Sequence, residues 1–526
     1  MISEKNRVAS AAGVISAATL CSRILGYVRD MVFAGLFGAG PVSDAFIAAF
    51  RIPNMLRRLF GEGSLSISFI PVFSEFYTRH GKDEAYRLAR SALRLLSAIL
   101  VIAVFLGMLF SPWIVKAIAW GFGDSGVKFS LAVTLTRIMF PYLFFIGMLA
   151  LGMGILNVMG HFAAPALAPV FLNLAMIGSL LLVSRFSDNA TTRIYGLAIG
   201  VVIGGVLQLG LQVPFLIKKG FYFWQKATFF HPGLKNIGRL FFPAIFGAAV
   251  LQINTLLGTL LASFQAEGSV TYLYFADRLV QFPLALFGIA TATAVMPSFS
   301  RQMTAGDLTA VRDTFNYAMR LVFFITIPSM VGLIILREPI IVLLFQRGAF
   351  SAEATRLTAQ AVLYYTMGLW AFSAVRIVVN TFYAMQNIWT PVRMAVISIA
   401  ANLVLGIILM KPMGHAGLAL AVSLASVLHL GLLILALRFR LDRLGLRKIV
   451  QSVYRATLSS TLMGLAVWMV AKTIIAAEVE TSGGLFWAIV GSILTGLLVY
   501  GSLGFIMKSP ELEKVFQITL EGVRKK

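Results

Sequence analysis

The chain has 526 residues, 59% hydrophobic and 12% charged, with a mean hydropathy of +0.87 and a formal net charge of +23. Soluble domains carry about 25% charged residues, so the composition excludes a soluble protein and predicts an all-α polytopic membrane protein. The basic excess reads as cytoplasmic loop charge, not as a nucleic-acid surface.

Fourteen apolar stretches are long enough to span a bilayer: 10–36, 41–62, 88–113, 130–156, 162–184, 193–217, 236–263, 270–297, 314–344, 355–385, 391–410, 415–438, 450–475 and 485–507. The first contains the sole cysteine, Cys21, which rules out an intramolecular disulfide. Leu20 is too large for a lipoprotein cleavage site, and the run continues through Arg23 and Arg29, so it reads as a retained helix and not a signal peptide. The second stretch holds SDAFIAAFRIPNMLRRLFGEG (43–63), with Asp44, Arg51, Arg57, Arg58 and Glu62 inside an otherwise apolar segment. A charge at the bilayer centre costs at least ~2.5–3.5 kcal/mol. Asp44, Arg51 and Arg58 are spaced seven apart and therefore share one helix face, with Glu62 near it and Arg57 beside it. Pro53 interrupts the segment near its middle.

The same pattern recurs. The first stretch sets Arg23 and Asp30 seven apart with Arg29 alongside. The eighth carries Thr271, Tyr274, Arg278 and Gln281 on one stripe, with Asp277 just off it and breaks expected at Pro283 and Pro297. The tenth aligns Arg376, Asn380 and Tyr383. Buried ion pairs that lock helices together would explain some of these charges, and snorkelling to headgroups would explain Arg57. The arginines outnumber the carboxylates Asp30, Asp44, Glu62 and Asp277, however. A net cationic interior fits a water-filled cavity that receives an anion, and arginine forks match phosphate oxygens.

Basic residues gather on alternate loops, which places both termini in the cytoplasm. The chain also repeats: GLAIGVVIGGVLQLGL (196–211) matches GLALAVSLASVLHLGL (417–432), and similar matches set Arg51 on Arg278 and Pro112 on Pro339, at offsets of 221 to 227. Two six-helix lobes related by a pseudo-two-fold axis along the membrane normal follow, 1–220 and 221–445, with an accessory pair and cytoplasmic tail at 446–526. No P-loop, GxSxG or DFG set is present, so ATP hydrolysis is not expected. The histidines (80, 161, 231, 415 and 429) are scattered, with no HExxH, and no metal site is expected.

SRILGYVRD (22–30), FGAGPVSDAF (37–46), RIPNMLRRLFGEG (51–63), FIPVFSEF (69–76) and YFADRLVQFP (274–283) resemble the MurJ/MviN lipid II flippases of the multidrug/oligosaccharidyl-lipid/polysaccharide exporter superfamily. The resemblance covers essentially the whole chain. It implies a transporter, not an enzyme, that moves lipid II, the undecaprenyl-pyrophosphate-linked peptidoglycan precursor, across the bacterial inner membrane by alternating access. It implies functional roles for Arg23, Arg29, Arg57, Arg58 and Arg278, with Asp30 and Asp44 as acidic partners. Some members carry Glu where this chain has Gln281. The resemblance also implies no bound cofactor, dependence on membrane potential and, in some members, a monovalent-cation (sodium) site, for which Asn380 and Thr390 are the candidates here. Cell-wall synthesis and division proteins are the protein partners to be expected. Alternatives are an exporter of another polyprenyl-linked glycan, a membrane glycosyltransferase, and a non-transporting cell-wall scaffold. The basic character of the stripe disfavours a cationic drug as cargo, and the short, acid-poor outer loops disfavour a glycosyltransferase.

Overall fold

The computed structural model describes residues 4–59, 65–123, 126–226, 228–442, 444–476 and 482–514. Among these the fold is helical: α1 (Glu4–Phe37), α2 (Pro41–Arg57), α3 (Leu65–Arg79), α4 (Lys82–Leu109), α5 (Ser111–Ile118), α6 (Val127–Met139), α7 (Tyr142–Val158), α8 (Ala163–Val183), α9 (Ala190–Lys218), α10 (Pro232–Ser263), α11 (Ser269–Pro283), α12 (Ala290–Thr304), α13 (Leu308–Leu344), α14 (Ala352–Thr366), α15 (Leu369–Ala384), α16 (Trp389–Met413), α17 (His415–Leu441), α18 (Leu446–Ala476) and α19 (Ser482–Ile506). Nine helical stretches among the described residues are long and apolar enough to cross a membrane, and a tenth is the α14–α15 pair, bent by 41°.

Two compact units divide the chain. One comprises residues 1–270 with 348–350; the other comprises 271–347 and 351–526. Between lipid-facing helices the hydrophobic effect provides little drive for association, so close approach of backbones must supply the attraction. In the first unit α9 does this with Gly196, Gly200 and Gly204, one face at four-residue spacing, laid against Val183, Ser179 and Leu172 of α8. A Cβ on Gly204 would lie 2.7 Å from the Leu172 side chain. In the second unit the matching residues of the repeat, Gly417, Ala421 and Ala425, are likewise buried along α17, and Ser398 of α16 donates to the Ala425 carbonyl at 2.8 Å. The small residues that make the two stretches alike in sequence thus do similar packing work in each unit.

The second unit has an aromatic and aliphatic core from α12, α13, α15 and α17, including Phe299, Phe315, Phe323, Phe382, Leu433 and Leu437. A smaller cluster, Leu336, Met463, Val467 and Tyr500, seats α18 and α19 on α13. Pro283 acts as the sequence suggests: α11 ends there and a π-helical turn, Leu284–Ile289, intervenes. Pro297 does not break the chain, because it lies within α12. Pro53 also lies inside α2, which runs on to Arg57. The sequence reading gave α3 no helix of its own.

Candidate functional site

The candidate charged residues of the first unit lie on α1 and α2. On α1, Arg29 and Asp30 form a buried pair, only 6% and 3% exposed. Asp30 Oδ1 accepts from Arg29 Nε at 3.0 Å and from Nη2 at 2.7 Å. Arg29 also donates to Asn173 Oδ1 at 3.1 Å, and Asn173 Nδ2 donates to the Ser22 carbonyl at 3.0 Å. The pair therefore rivets α1 to α8. One turn and a half earlier, Arg23 is exposed. Asn173 was not singled out from sequence, because it lies 144 residues from Arg29 and no local pattern links the two.

On α2 the seven-residue stripe changes environment along its length. Asp44 is 1% exposed at the start of the helix. Its Oδ2 accepts from the Gly268 backbone N–H at 2.8 Å and lies 3.8 Å from Lys128 Nζ on α6. A carboxylate so placed near the helix N-terminus is stabilised by the helix dipole as well as by its partners. Lys128, which belongs to none of the sequence stripes, thereby joins the site. Arg51, half-buried one stripe position on, donates to the Thr255 carbonyl of α10 at 3.3 Å. Further along, Arg57 Nε donates to Asn54 at 3.1 Å, and Arg58, half-buried, caps the end of α2. Glu62 lies outside the described residues.

In the second unit, Thr271 is fully buried at the start of α11. Two turns on, the Arg278 guanidinium stacks over the Tyr274 ring at 5.5 Å and donates to its hydroxyl at 3.4 Å. Cation–π stacking holds the fork in one orientation. Gln281 donates to Asp277 one turn below it. On α15, Arg376 is exposed. Asn380, a proposed cation ligand, donates to the Ala292 carbonyl at 2.8 Å. The other, Thr390, is engaged by Asn387 at the start of α16, through a 2.9 Å side-chain bond and a 3.1 Å bond to its backbone N–H.

The arrangement presents several arginine side chains from apolar helices. Guanidinium forks match the oxygens of a multi-oxygen anion.

The family model described as "Lipid II flippase MurJ" matches residues 33–482. A Vibrio cholerae protein, "Probable lipid II flippase MurJ", is 38% identical over 481 residues, covering 90% of this chain and 88% of the relative. "Lipid II flippase MurJ" of Burkholderia cenocepacia is 36% identical over 430 residues, covering 81% of this chain and 83% of the relative. A solved structure described as "Lipid II flippase MurJ, inward closed conformation" is 30% identical, with a TM-score of 0.78 over 94% of this chain and 98% of its own. An inward-facing multidrug resistance MATE family transporter of the MOP superfamily shares the fold at 16% identity, with a TM-score of 0.67 over 82% of this chain and 99% of its own. The chain belongs to the lipid II flippase MurJ family.

Proposed function

We propose that this multi-pass inner-membrane protein flips lipid II from the cytoplasmic to the periplasmic leaflet by alternating access. The observation that carries the reading, beside family membership, is Arg278 stacked on Tyr274 within an apolar helix. A planar guanidinium held in this way within an apolar helix has the fork geometry that suits a phosphate group.

In this reading the chain has fourteen transmembrane helices: a six-helix lobe (1–220), a second (221–445), and an accessory pair with a cytoplasmic tail (446–526), both termini being cytoplasmic. A central cationic cavity receives the pyrophosphate, and Arg23, Arg51, Arg57, Arg58, Arg278 and Arg376 supply its positive charge. Arg29 and Asp30 act together as the rivet that positions α1. Asp44 positions α2, Thr271 and Gln281 line α11, and Glu62 balances the arginines at the far end of the stripe. The polyprenyl tail remains in lipid. Anion binding relieves repulsion among the arginines and permits closure. The empty cationic carrier is reset by membrane potential, worth ~2.3 kcal/mol per charge per 100 mV, or by a coupled monovalent cation. Cell-wall synthesis proteins supply and consume the cargo on either side.

Native mass spectrometry of the purified protein with a panel of polyprenyl lipids tests the substrate. Undecaprenyl-pyrophosphate glycolipids should bind in preference to neutral polyprenyl lipids, and a preference for the neutral lipid would overturn the assignment.

A further inference from the structure

A cavity of about 650 Å³ lies wholly within the second unit, walled by α12, α13 and Lys514. Its lining changes character with distance from the turn that joins the two helices. Nearest that turn are Ser298, Asp313 and Thr314, about 8–9 Å along the helices from Thr304 and Leu308, where α12 ends and α13 begins. Over the next ~12 Å, as far as Ala290 and Leu321, the lining is mainly apolar. Ala294 and Val295 lie between, and Thr291 and Tyr317 are the polar members. A cavity that is polar at its outer end and apolar at depth suits an amphiphile. A wholly water-soluble ligand would leave the apolar end unfilled.

Two opposite charges, Asp313 and Lys514, line this cavity, and among the described residues no ion pair joins them. Lys514 Nζ instead sits 4.4 Å from the centroid of the Tyr317 ring. The fold delivers it there. Three residues earlier Glu511, 2% exposed, accepts from Ser452 Oγ of α18 at 3.1 Å and from Ser509 Oγ at 2.8 Å, and its Oε1 lies 3.4 Å from Arg320 Nε of α13. This buried clamp fixes the stretch that carries Lys514 against α13. A ligand with a cation for Asp313 and an anion for Lys514 would satisfy both charges at once. A net anion would satisfy one and be repelled by the other.

We propose that this cavity binds a zwitterionic aminophospholipid of the phosphatidylethanolamine class. Its primary ammonium meets Asp313, its phosphodiester meets Lys514, and the start of an acyl chain runs along Ala294 toward Ala290 and Leu321. A primary ammonium donates hydrogen bonds to a carboxylate, whereas a choline head group has no N–H to offer. The Thr314 hydroxyl accepts from Gln302 Nε2 at 2.9 Å and so keeps its own proton to donate to the phosphate. The site is separate from the transport stripe, and its test does not depend on flipping.

The probe is dioctanoyl phosphatidylethanolamine, titrated into the detergent-purified full chain and read by native mass spectrometry. Dioctanoyl phosphatidylglycerol, dioctanoyl phosphatidylcholine and glycerophosphoethanolamine serve as the other arms. Phosphatidylethanolamine should bind at least about fivefold more tightly than either other lipid, the worth of one exposed charge pair, and more tightly than glycerophosphoethanolamine, which has no chains. Asp313→Asn should abolish the preference over phosphatidylglycerol. Ala294→Leu, which fills part of the apolar end and leaves both charges in place, should weaken phosphatidylethanolamine but not glycerophosphoethanolamine. Equal binding of either other lipid, equal binding of glycerophosphoethanolamine, or a preference that survives in a monodisperse Asp313→Asn protein would each overturn the proposal.

Discussion

Asp30→Asn should destabilise the protein by about 3 kcal/mol. Asp30 and Arg29 are both under a tenth exposed, and two N–H groups of Arg29 reach the same carboxylate oxygen at 2.7 and 3.0 Å. Breaking a buried pair from one side costs about 3–5 kcal/mol, because the other charge stays behind. The asparagine oxygen can still accept one bond, and Asn173 still takes Nη1, which puts the loss at the lower end. The double variant Arg29→Gln/Asp30→Asn leaves no stranded charge and should regain at least half of that loss, so the two changes should couple favourably and not add. Unfolding in a detergent titration, followed by circular dichroism, measures all four corners of the cycle. A single variant as stable as the parent, or a double variant less stable than the single, would refute the idea that this pair is a rivet between α1 and α8.

Gly200→Val should force α8 and α9 apart, since a Cβ there would lie 2.7 Å from the Ser179 Cβ and 3.3 Å from the Ala175 carbonyl. A loss of about 1–3 kcal/mol is expected from overpacking, whereas Gly210→Ala on the same helix, with nothing within 4 Å, should be neutral or slightly stabilising, and thermal unfolding of the two variants compares them. His161, in the loop after α7, stacks on Phe215 at 4.5 Å, and burial, then Lys219, holds its pKa below the ordinary histidine value. The unfolded chain therefore takes up a proton below about pH 6.5 that the folded chain resists, so stability should fall as the pH drops through that value. His161→Phe should flatten this part of the profile, and an unchanged slope would count against the assignment.

How far the sequence carried the reading varies by element. The repeat in α9 and α17 was legible because helix packing in lipid demands small residues at fixed spacing, and that demand is written locally. The stripe on α2 was legible for the same reason, as a seven-residue period needs no knowledge of neighbours. Partners were not. Nothing near Arg29 announces Asn173, and nothing near Asp44 announces Lys128 or the Gly268 amide, because these meet only after the helices pack. α3 was missed because, at 15 residues with Pro71 inside it, it is too short to span and does not resemble a membrane segment. The bend between α14 and α15 has a local trace in Gly368, whose position admits no Cβ against Ser423 and Phe372, yet a span-length search reads through it.

Transport itself is the central claim. The full chain, reconstituted into liposomes with fluorescent lipid II, should move the label across the bilayer, and Arg58→Ala and Arg278→Ala should each reduce the rate at least about tenfold, as expected for loss of a charge-assisted contact to phosphate. Full activity in both variants, with folding intact, would contradict the account.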